Sequence, residues 1–332
     1  MRVILTGGLG YIGSHTCIEL LNNGIVPTII DNLSNSTTQV LDQIKYITGK
    51  VPVFFEADLK DQEQINKIFS KTQPSAVIHF AALKDVAESF DKIDEYYSVN
   101  IQGLLNLLSA CSKFDVKSFV FSSSAAVYGI PETIPVTEES RTNPISPYGK
   151  TKLLGEEIIR NYCQTLGSFQ SVLLRYFNPV GAHPSGYIGE SPLNAPSNLM
   201  PLICNAAKNK SPIKIYGNSY PTKDGTGVRD YIHVSDLATA HFKALNFLAK
   251  PQAPATIFNI GTGTGYSVQE MINCFEAVNT LAIRQEFVSH REGDAPECFA
   301  DNKKALSNLG WKPQFSLEEM CLHSWNWAKK IN

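Results

Sequence analysis

The sequence predicts an α/β protein built on a doubly wound parallel sheet, followed by a smaller C-terminal α/β lobe. Short apolar strands alternate with amphipathic helices over residues 2–176, as βαβ units require. A glycine-rich turn at residues 7–13 joins the first strand to the first helix. The second strand ends at an acid, Asp31, where a parallel sheet presents its carboxyl edge.

Bulk composition restricts the possible classes of function. The 332 residues are 43% hydrophobic and 18% charged, with a net charge of −2, so neither a nucleic-acid surface nor a membrane-binding patch is expected. The seven cysteines are scattered and form no Cys-x-x-Cys pair, which predicts free thiols in a reducing compartment. No apolar run is long enough for a bilayer, and a strand pattern that starts at Arg2 leaves no room for a leader peptide. We therefore expect a cytoplasmic protein.

The predicted elements follow one another without an internal repeat or a low-complexity tract. Strands are predicted at residues 2–6, 26–30, 52–55, 76–81, 117–122 and 171–176, and helices at 38–47, 61–69, 96–111 and 148–166 besides the one after the glycine turn. Sequential strands separated by helices predict a parallel sheet that is covered on both faces.

The glycine turn has the spacing Gly-x-x-Gly-x-x-Gly through Gly7, Gly10 and Gly13. Gly7 permits a tight turn, Gly10 lets the backbone approach a ligand, and Gly13 lets the helix pack on the strand. The helix N-terminus then presents N–H groups and a positive dipole end to a pyrophosphate. Asp31 is placed to accept hydrogen bonds from a ribose diol and would repel a 2′-phosphate. These features predict a dinucleotide site that prefers NAD to NADP.

A second motif, Ser-Pro-Tyr-Gly-Lys-Thr-Lys, occupies residues 146–152. Ser146 suits a helix N-cap and Pro147 suits the first helical position, so Tyr148 and Lys152 should lie side by side on one helix face. An ammonium beside a phenol favours the phenolate and should lower the pKa of Tyr148, making it a candidate general base. The preceding strand ends in three hydroxyls, the last of them Ser124, at the edge where ligands bind.

The composition changes after residue 176. Residues 177–197 are rich in Pro, Gly, Ser and Asn, and short elements follow at 199–208, 213–216, 230–234, 236–248 and 257–260. Ser-x-x-Glu patterns at 267–270 and 316–319 predict capping boxes of two more helices. Two loop arginines, Arg229 and Arg291, suit a diphosphate, which they can grip bidentately. We divide the chain into a dinucleotide-binding domain at 1–176 and a mainly substrate-binding lobe at 177–332, with some segments returning to the first domain.

Together these motifs resemble the extended short-chain dehydrogenase/reductase superfamily, which has a Rossmann fold. The resemblance rests on residues 6–13 (Thr-Gly-Gly-Leu-Gly-Tyr-Ile-Gly), Asp31, residues 122–129 (Ser-Ser-Ser-Ala-Ala-Val-Tyr-Gly) and Tyr148-x-x-x-Lys152. Within the superfamily, the chain is similar to the UDP-glucose 4-epimerase family. Residues 80–84, 175–181, 198–201 and, above all, 224–236 carry that likeness, which runs from residue 2 to about 330.

The resemblance implies an NAD-dependent isomerase that interconverts UDP-glucose and UDP-galactose. Tyr148, as a phenolate, would take the proton of the sugar 4-hydroxyl while a hydride passes from C4 to the nicotinamide. Lys152 would keep the pKa of that Tyr low and bind the nicotinamide ribose, and Ser124 would hold the 4-oxygen. The 4-keto sugar would then turn round, with its UDP anchored, and take the hydride back on its other face.

By the family pattern, two groups of residues contact the ligands. The cofactor set is Gly7, Gly10, Tyr11, Ile12, Gly13, Asp31, Asn32, Asp58, Leu59, Phe80, Ala81, Lys84, Asn100, Tyr148, Lys152 and Phe177. The substrate set is Ser124, Tyr148, Asn178, Asn198, Leu199, Tyr216, Arg229, Arg291, Asp294 and Cys298.

Cys298 stands where some members of the family carry a Tyr that closes the sugar end of the pocket. Because a Cys is much smaller, we expect this chain to accept UDP-N-acetylhexosamines as well. The alternative is that nearby loops refill the space.

Other interpretations remain open at this point. Sugar-nucleotide 4,6-dehydratases share Tyr-x-x-x-Lys, but they carry an Asp-Glu pair where this chain has Ala125 and Ala126. A UDP-uronate decarboxylase should have an added basic group for the sugar carboxylate, and no clear candidate is evident. A non-catalytic NAD-sensing regulator would need the glycine turn and Asp31 but not the three catalytic candidates.

No metal is expected, because the seven histidines are isolated and none has the spacing of a helical ligand pair. His79, within an apolar strand, is expected to be a core residue. The two long helices at residues 96–111 and 148–166 are expected to pair with their copies in a homodimer, as in dimeric relatives.

Overall fold

The computed structural model describes residues 1–191, 196–250, 253–290 and 294–331. Its strands are β1 (Val3–Thr6), β2 (Thr28–Asp31), β3 (Val53–Glu56), β4 (Ala76–His79), β5 (Ser118–Ser124), β6 (Gln170–Tyr176), β7 (Asn178–Val180), β8 (Ile213–Tyr216), β9 (Val228–His233), β10 (Ala255–Ile260), β11 (Gly265–Ser267), β12 (Gln285–Val288) and β13 (Glu297–Cys298). Its α-helices are α1 (Tyr11–Asn22), α2 (Gln39–Thr48), α3 (Gln62–Thr72), α4 (Glu88–Asp91), α5 (Ile93–Tyr97), α6 (Gly103–Lys113), α7 (Pro147–Leu166), α8 (Leu199–Asn209), α9 (Val234–Phe247), α10 (Val268–Asn279) and α11 (Leu317–Ala328).

A seven-stranded sheet organises the molecule, with all its strands parallel and in the order β10-β6-β5-β4-β1-β2-β3. The predicted α/β fold class is confirmed. The direction of winding reverses between β1 and β4, and ligands of such sheets bind beyond the carboxyl ends of the strands at that point. The glycine turn follows β1 directly, so it lies at this switch point.

Helices bury both faces of the sheet, which explains why its strands are almost uniformly apolar. On one face, α1, α2 and α9 pack through residues such as Leu20, Ile44 and Leu245. On the other face, α3, α6 and α7 contribute residues such as Phe69 and Leu107. The motif at residues 146–152 therefore begins a helix that is held firmly by a buried core.

The predicted continuous helix over residues 96–111 is wrong. The chain forms α5, then a π-helical segment at Ser98–Gln102, and then α6. Asn100 lies buried in that segment, and its side chain bonds both the N–H and the carbonyl of Leu83, at 2.8 and 3.1 Å, and Thr151 at 3.0 Å. These long-range bonds accompany the wider turn, and periodicity of the sequence does not reveal them.

The second lobe is built from small sheets. β9 pairs with β11, β13 and β7, and β12 pairs with β8, while α8, α10 and α11 share one apolar core. Both predicted capping boxes are confirmed, at Ser267 with Glu270 and at Ser316 with Glu319. The strand expected at residues 257–260 does not lie with these elements, because β10 joins the large sheet beside β6.

His79 is buried and its Nδ1 lies 2.7 Å from the Thr6 hydroxyl, so its predicted place in the core is confirmed. Across the part of the chain that the structure describes, no helix has the length and apolarity needed to cross a bilayer. Within the same residues, no three His, Cys, Asp or Glu side chains are grouped so that they could hold a metal ion.

Candidate active site

The glycine turn is held tightly against the sheet. Gly7 has φ of +68°, and a Cβ there would lie 2.7 Å from the backbone nitrogen of Ala81. A Cβ on Gly13 would lie 2.3 Å from the carbonyl oxygen of Gly7. Contact therefore excludes a side chain at both positions, and the left-handed backbone adds to this at Gly7. The turn leads into α1, whose N-cap, Gly10, has no side chain and whose first turn has no acid. This end of α1 can therefore receive an anion.

Asp31 is buried at the end of β2 and braces the turn. Its Oδ2 accepts a hydrogen bond from the Leu9 N–H at 3.0 Å, and its Oδ1 accepts from the Leu33 N–H and the Ser36 hydroxyl at 3.0 and 2.9 Å. A carboxylate oxygen can accept two bonds. Asp31 thus combines a structural role at the turn with remaining capacity to accept, on Oδ2, from a ligand hydroxyl.

Tyr148 is placed by the first turn of α7. The Ser146 hydroxyl accepts a hydrogen bond from the Gly149 N–H at 3.1 Å, and Pro147 occupies the first helical position, which confirms the predicted N-cap. Lys152 follows one turn later, and its Nζ lies 5.9 Å from the centre of the Tyr148 ring. Both side chains are buried, so the helix presents a phenol and an amine away from bulk water.

The three serines at the end of β5 have three different partners. The Ser122 carbonyl accepts from Lys152 Nζ at 2.9 Å, and its hydroxyl bonds the Tyr176 hydroxyl. The Ser123 hydroxyl donates to Glu156 at 2.6 Å. The Ser124 hydroxyl bonds the Tyr148 phenol and also accepts from the Ala126 N–H at 3.1 Å. Only Ser124 therefore touches the candidate base.

The expected lowering of the Tyr148 pKa by Lys152 is wrong for this arrangement. Burial raises the pKa of the phenol above its usual value, and the hydrogen bond with Ser124 acts in the opposite direction. The Lys152 ammonium donates to the Ser122 carbonyl oxygen. Burial also lowers the pKa of Lys152 to about 7. An amine that titrates near neutral pH is a common feature of functional sites.

Other members of the cofactor set surround the switch point. The N–H groups of Phe80 and Ala81 both donate to the Thr6 carbonyl, at 2.9 and 3.1 Å, and join the end of β4 to β1. The Asn32 amide donates to the Asp58 carboxylate at 3.1 Å. Asn100, by contrast, directs its amide at Leu83 and Thr151, so it acts here as a brace between the Lys84 loop and α7. Two of the apolar members, Ile12 and Leu59, pack into the cores on the two faces of the sheet.

Glu190, a carboxylate that was not among the predicted site residues, contacts both the cofactor set and the substrate set. Its Oε1 accepts from Lys84 Nζ at 2.7 Å and from Asn198 Nδ2 at 3.3 Å. Nearby, the Tyr11 hydroxyl donates to the Gly181 carbonyl at 2.6 Å, and burial, with Glu190 adding to it, raises the pKa of Tyr11. One signal was present in the sequence: Glu190 is the only Asp, Glu, Lys or Arg in residues 177–197.

Most of the substrate set lies at the ends of second-lobe elements. Arg229, in β9, bonds the Asp294 carboxylate through Nη2 and the Val228 carbonyl through Nη1 at 2.8 Å. The other placed members are Asn178 at the start of β7, Asn198 and Leu199 at the start of α8, and Tyr216 at the end of β8. Arg291 falls outside the described residues.

Cys298 connects the second lobe to the catalytic motif. It pairs with Arg229 in the register of β13 on β9 and packs on an apolar cluster that includes Tyr128 and Phe177. Ala125 and Leu153, the sequence neighbours of Ser124 and Lys152, pack on the same cluster. Cys298 therefore shares an apolar cluster with residues adjacent in sequence to Ser124 and Lys152.

A buried ion pair beneath these residues was also not foreseen. Arg175 donates to both carboxylate oxygens of Glu156, at 2.8 and 2.6 Å, and to the Tyr128 hydroxyl at 3.0 Å. Glu156 also receives the Ser123 hydroxyl, and Tyr128 donates to Asn259 at 2.7 Å. This network links β5, β6, α7 and β10, and so fixes the strand end that carries Ser124.

Comparison with known proteins gives a consistent result. A family model described as GDP-mannose 4,6 dehydratase matches residues 4–323. Over 328 residues the chain is 50% identical to the UDP-glucose 4-epimerase of Bacillus subtilis (strain 168), covering 98% of this chain and 96% of that protein.

Two solved structures are similar over nearly the whole chain. One is the UDP-glucose 4-epimerase from Stenotrophomonas maltophila with bound NAD and formylated UDP-arabinopyranose, with TM-score 0.97, 44% identity and coverage of 99% of this chain and 98% of that one. The other is the enzyme from Bifidobacterium longum in complex with NAD+ and UDP, with TM-score 0.95, 42% identity and coverage of 99% and 98%. The identity and coverage of these relatives show that the chain belongs to the UDP-glucose 4-epimerase family.

Proposed function

We propose that the chain interconverts UDP-glucose and UDP-galactose by transient oxidation of the sugar at C4, with NAD as its cofactor. One observation carries this proposal. Ser124, Tyr148 and Lys152 are brought together near the sheet edge that holds the glycine turn, in a chain of the UDP-glucose 4-epimerase family. A hydride acceptor and a proton acceptor can therefore act on the same carbinol.

The residues present fit a dinucleotide. The turn at residues 7–13 has no room for a Cβ at Gly7 or Gly13, and the N-terminus of α1 has no competing acid. The buried Asp31 carboxylate suits a ribose diol rather than a 2′-phosphate. When bound, the oxidised nicotinamide supplies a reversible hydride acceptor, and its positive charge opposes the rise in the Tyr148 pKa that burial causes.

Tyr148, Ser124 and Lys152 would divide the proton chemistry among them. As the phenolate, Tyr148 would take the proton of the sugar 4-hydroxyl, and as the phenol it would return that proton after the keto sugar has turned. The Ser124 hydroxyl, already bonded to that phenol, orients the 4-oxygen. Lys152 holds one N–H on the Ser122 carbonyl and has two more for the nicotinamide ribose. Burial of Tyr148 and Lys152 limits the access of water that would compete for the proton.

The substrate set would hold the nucleotide. Arg229 has five N–H donors, and its bonds to Asp294 and to the Val228 carbonyl leave others for a diphosphate. Asn198 and Leu199 begin α8, where the backbone N–H groups and the helix dipole also favour an anion. Arg291 is proposed to assist on the family pattern alone. The hexose would then be held loosely enough to rotate.

The wider range of sugars remains a proposal that rests on Cys298. Cys298 packs on the same apolar cluster as Ala125 and Leu153, and by the family pattern a larger side chain at this position would narrow the sugar end of the site. We therefore propose that UDP-N-acetylhexosamines are also accepted, because a Cys leaves volume for the acetamido group.

A homodimer and a cytoplasmic location complete the proposal. Val86, Phe90, Ile93 and Tyr97 are exposed apolar residues in and around α4 and α5, and these helices pack against α7. Their exposure supports a partner surface beside the helix that carries Tyr148. The seven cysteines are all free thiols, which supports a reducing compartment.

The test is incubation of the purified protein with UDP-galactose and no added cofactor, followed by product analysis. UDP-glucose should appear, because NAD is expected to stay bound through purification and to be regenerated in every turnover. A 4-keto-6-deoxy sugar nucleotide would instead support the dehydratase alternative. Bound NAD with no conversion of any UDP-sugar would support a regulator.

A further inference from the structure

Glu190 contacts one residue of each ligand set. Its Oε1 lies 2.7 Å from Lys84 Nζ, in the cofactor set, and 3.3 Å from Asn198 Nδ2, in the substrate set. These two residues are 114 positions apart in sequence and come from different lobes. One carboxylate oxygen is therefore the shared acceptor between the two halves of the site.

The position of Glu190 is set by the fold around it. Its carbonyl accepts from the Trp327 indole N–H at 2.8 Å, and the preceding hairpin is closed by pairing of Ala182 with Gly189. The Glu190 side chain is only 12% exposed, whereas that of Lys84 is 50% exposed. The carboxylate therefore depends on these two donors, since little water reaches it.

Glu190 engages only one N–H group of Lys84 and one of Asn198. A Lys ammonium has three N–H groups and an Asn amide has two, and one from each is directed at the carboxylate. The remaining N–H groups of Lys84 and Asn198 are consequently held in fixed directions. A ligand that orders one of these side chains also orders Glu190, and through it the other side chain, so that the second ligand loses less conformational entropy on binding.

We propose that Glu190 couples the two sites, so that binding of the UDP moiety tightens retention of NAD, and NAD tightens binding of UDP by the same factor. Glu190 is a positioning residue that acts through Lys84 and Asn198. The inference rests on the proposed function for the identity of the ligands. With this coupling, NAD is held most firmly while the keto sugar is in the site. Loss of NAD at that stage would leave the keto sugar unable to complete the reaction.

The experiment measures the rate at which the holoprotein loses NAD on repeated gel filtration, with and without saturating UDP. In the native chain, UDP should slow the loss at least about fivefold. In Glu190→Gln the slowing should fall below about twofold, while Glu190→Asp, which keeps the charge, should recover part of it. Glu276→Gln is the matched control, because that carboxylate bonds the Ile283 backbone instead, and it should behave like the native chain.

Two further measurements separate coupling from a structural role. Isothermal titration of UDP into NAD-loaded protein should show weaker binding in Glu190→Gln, and the KM for UDP-galactose should rise more than kcat falls. The proposal is overturned if UDP slows NAD loss equally in the native chain and in Glu190→Gln, or in neither. It is also overturned if Glu190→Gln loses NAD faster by one factor that UDP does not change. These binding results need no turnover, so a failure to convert UDP-galactose would refute the proposed function separately.

Discussion

Two ion pairs near the site differ in burial: the pair in the first lobe is buried, whereas the pair in the second lobe lies close to solvent. The Arg175 and Glu156 side chains are 2% and 0% exposed, and the carboxylate receives bonds from three residues. Arg229 and Asp294 form one ion pair with side chains 19% and 36% exposed. The same chemical pair is therefore used in two environments.

The difference indicates how rigid each half needs to be. A buried pair loses several kcal/mol when one partner is removed, because the other charge is left without compensation. An exposed pair contributes about 0–1 kcal/mol and can exchange its partner for a ligand. A fixed first lobe suits hydride and proton transfer, which require fixed distances. A second lobe with exchangeable partners suits a nucleotide site whose sugar has to turn.

The largest effect is expected from Tyr148→Phe. Removing the hydroxyl should lower epimerisation by about 10²- to 10⁴-fold, because general-base catalysis contributes factors of that size. Bound NAD should remain, since the glycine turn and Asp31 are untouched. Turnover and cofactor absorbance measure both outcomes. Tyr162→Phe, on the same helix, is the control and should be near normal. Turnover close to native in Tyr148→Phe would contradict the assignment.

The contrast between the buried and the exposed ion pair can be tested by measuring the free energy of unfolding of variants in each pair. Glu156→Gln should lower the free energy of unfolding by about 3–5 kcal/mol, because it leaves the Arg175 guanidinium buried without its counter-charge. Asp294→Asn should lower it by no more than about 1 kcal/mol. Denaturant unfolding of both variants, without ligand, measures the difference. Equal losses would show that the two halves do not differ in rigidity as described.

The buried amine of Lys152 should make the protein less stable at neutral pH than at high pH. Burial lowers the pKa of Lys152 from 10.5 to about 7, so between these values the unfolded chain binds more protons than the folded one. The contribution of Lys152 to the free energy of unfolding therefore rises by about 1.4 kcal/mol per pH unit across this window and is lowest below it.

Lys152→Met should therefore stabilise the cofactor-free protein at about pH 7, and the gain should shrink toward about pH 10. Thermal unfolding midpoints at both pH values give the measurement. Lys150→Met, at an exposed position on the same helix, should show no such dependence. A gain that is the same at both pH values would mean that burial of the ammonium is not its cause.

Asp31→Asn should weaken retention of NAD by about 10- to 100-fold, the size of one or two hydrogen bonds to a charged group. The same variant should lower stability modestly, because Asp31 also accepts from the Leu9 N–H and the Ser36 hydroxyl. Cofactor content after gel filtration measures the first effect. Asp42→Asn, on α2, is the control. Unchanged cofactor content would remove Asp31 from the cofactor set.

The smallest change is expected in sugar selectivity. Cys298→Tyr should lower conversion of UDP-GlcNAc by about 10- to 100-fold relative to UDP-glucose, because pocket volume alone provides discrimination of that order. Parallel assays with both substrates give the ratio. A ratio that equals the native one would mean that the loops, and not position 298, determine the volume of the pocket.

Local patterns were sufficient for much of the fold and for the candidates of the site. The strands β1 to β6, the N-cap at Ser146 and both capping boxes depend on residues within a few positions of one another, and these were predicted correctly. The π-helical segment around Asn100 was not, because its contacts with Leu83 and Thr151 come from distant parts of the chain. The return of β10 to the large sheet was missed for the same reason.

The sequence by itself determined which residues could perform the chemistry, since a parallel sheet brings strand ends such as Gly7, Asp31 and Ser124 to one edge. Only the tertiary structure decided how these groups behave. It directed the Ser123 hydroxyl to Glu156, and it raised the pKa of the Tyr148 phenol where the sequence predicted a fall. The physical reason is that desolvation and hydrogen-bond partners depend on what covers a residue, and the residues that cover it are far away in the chain.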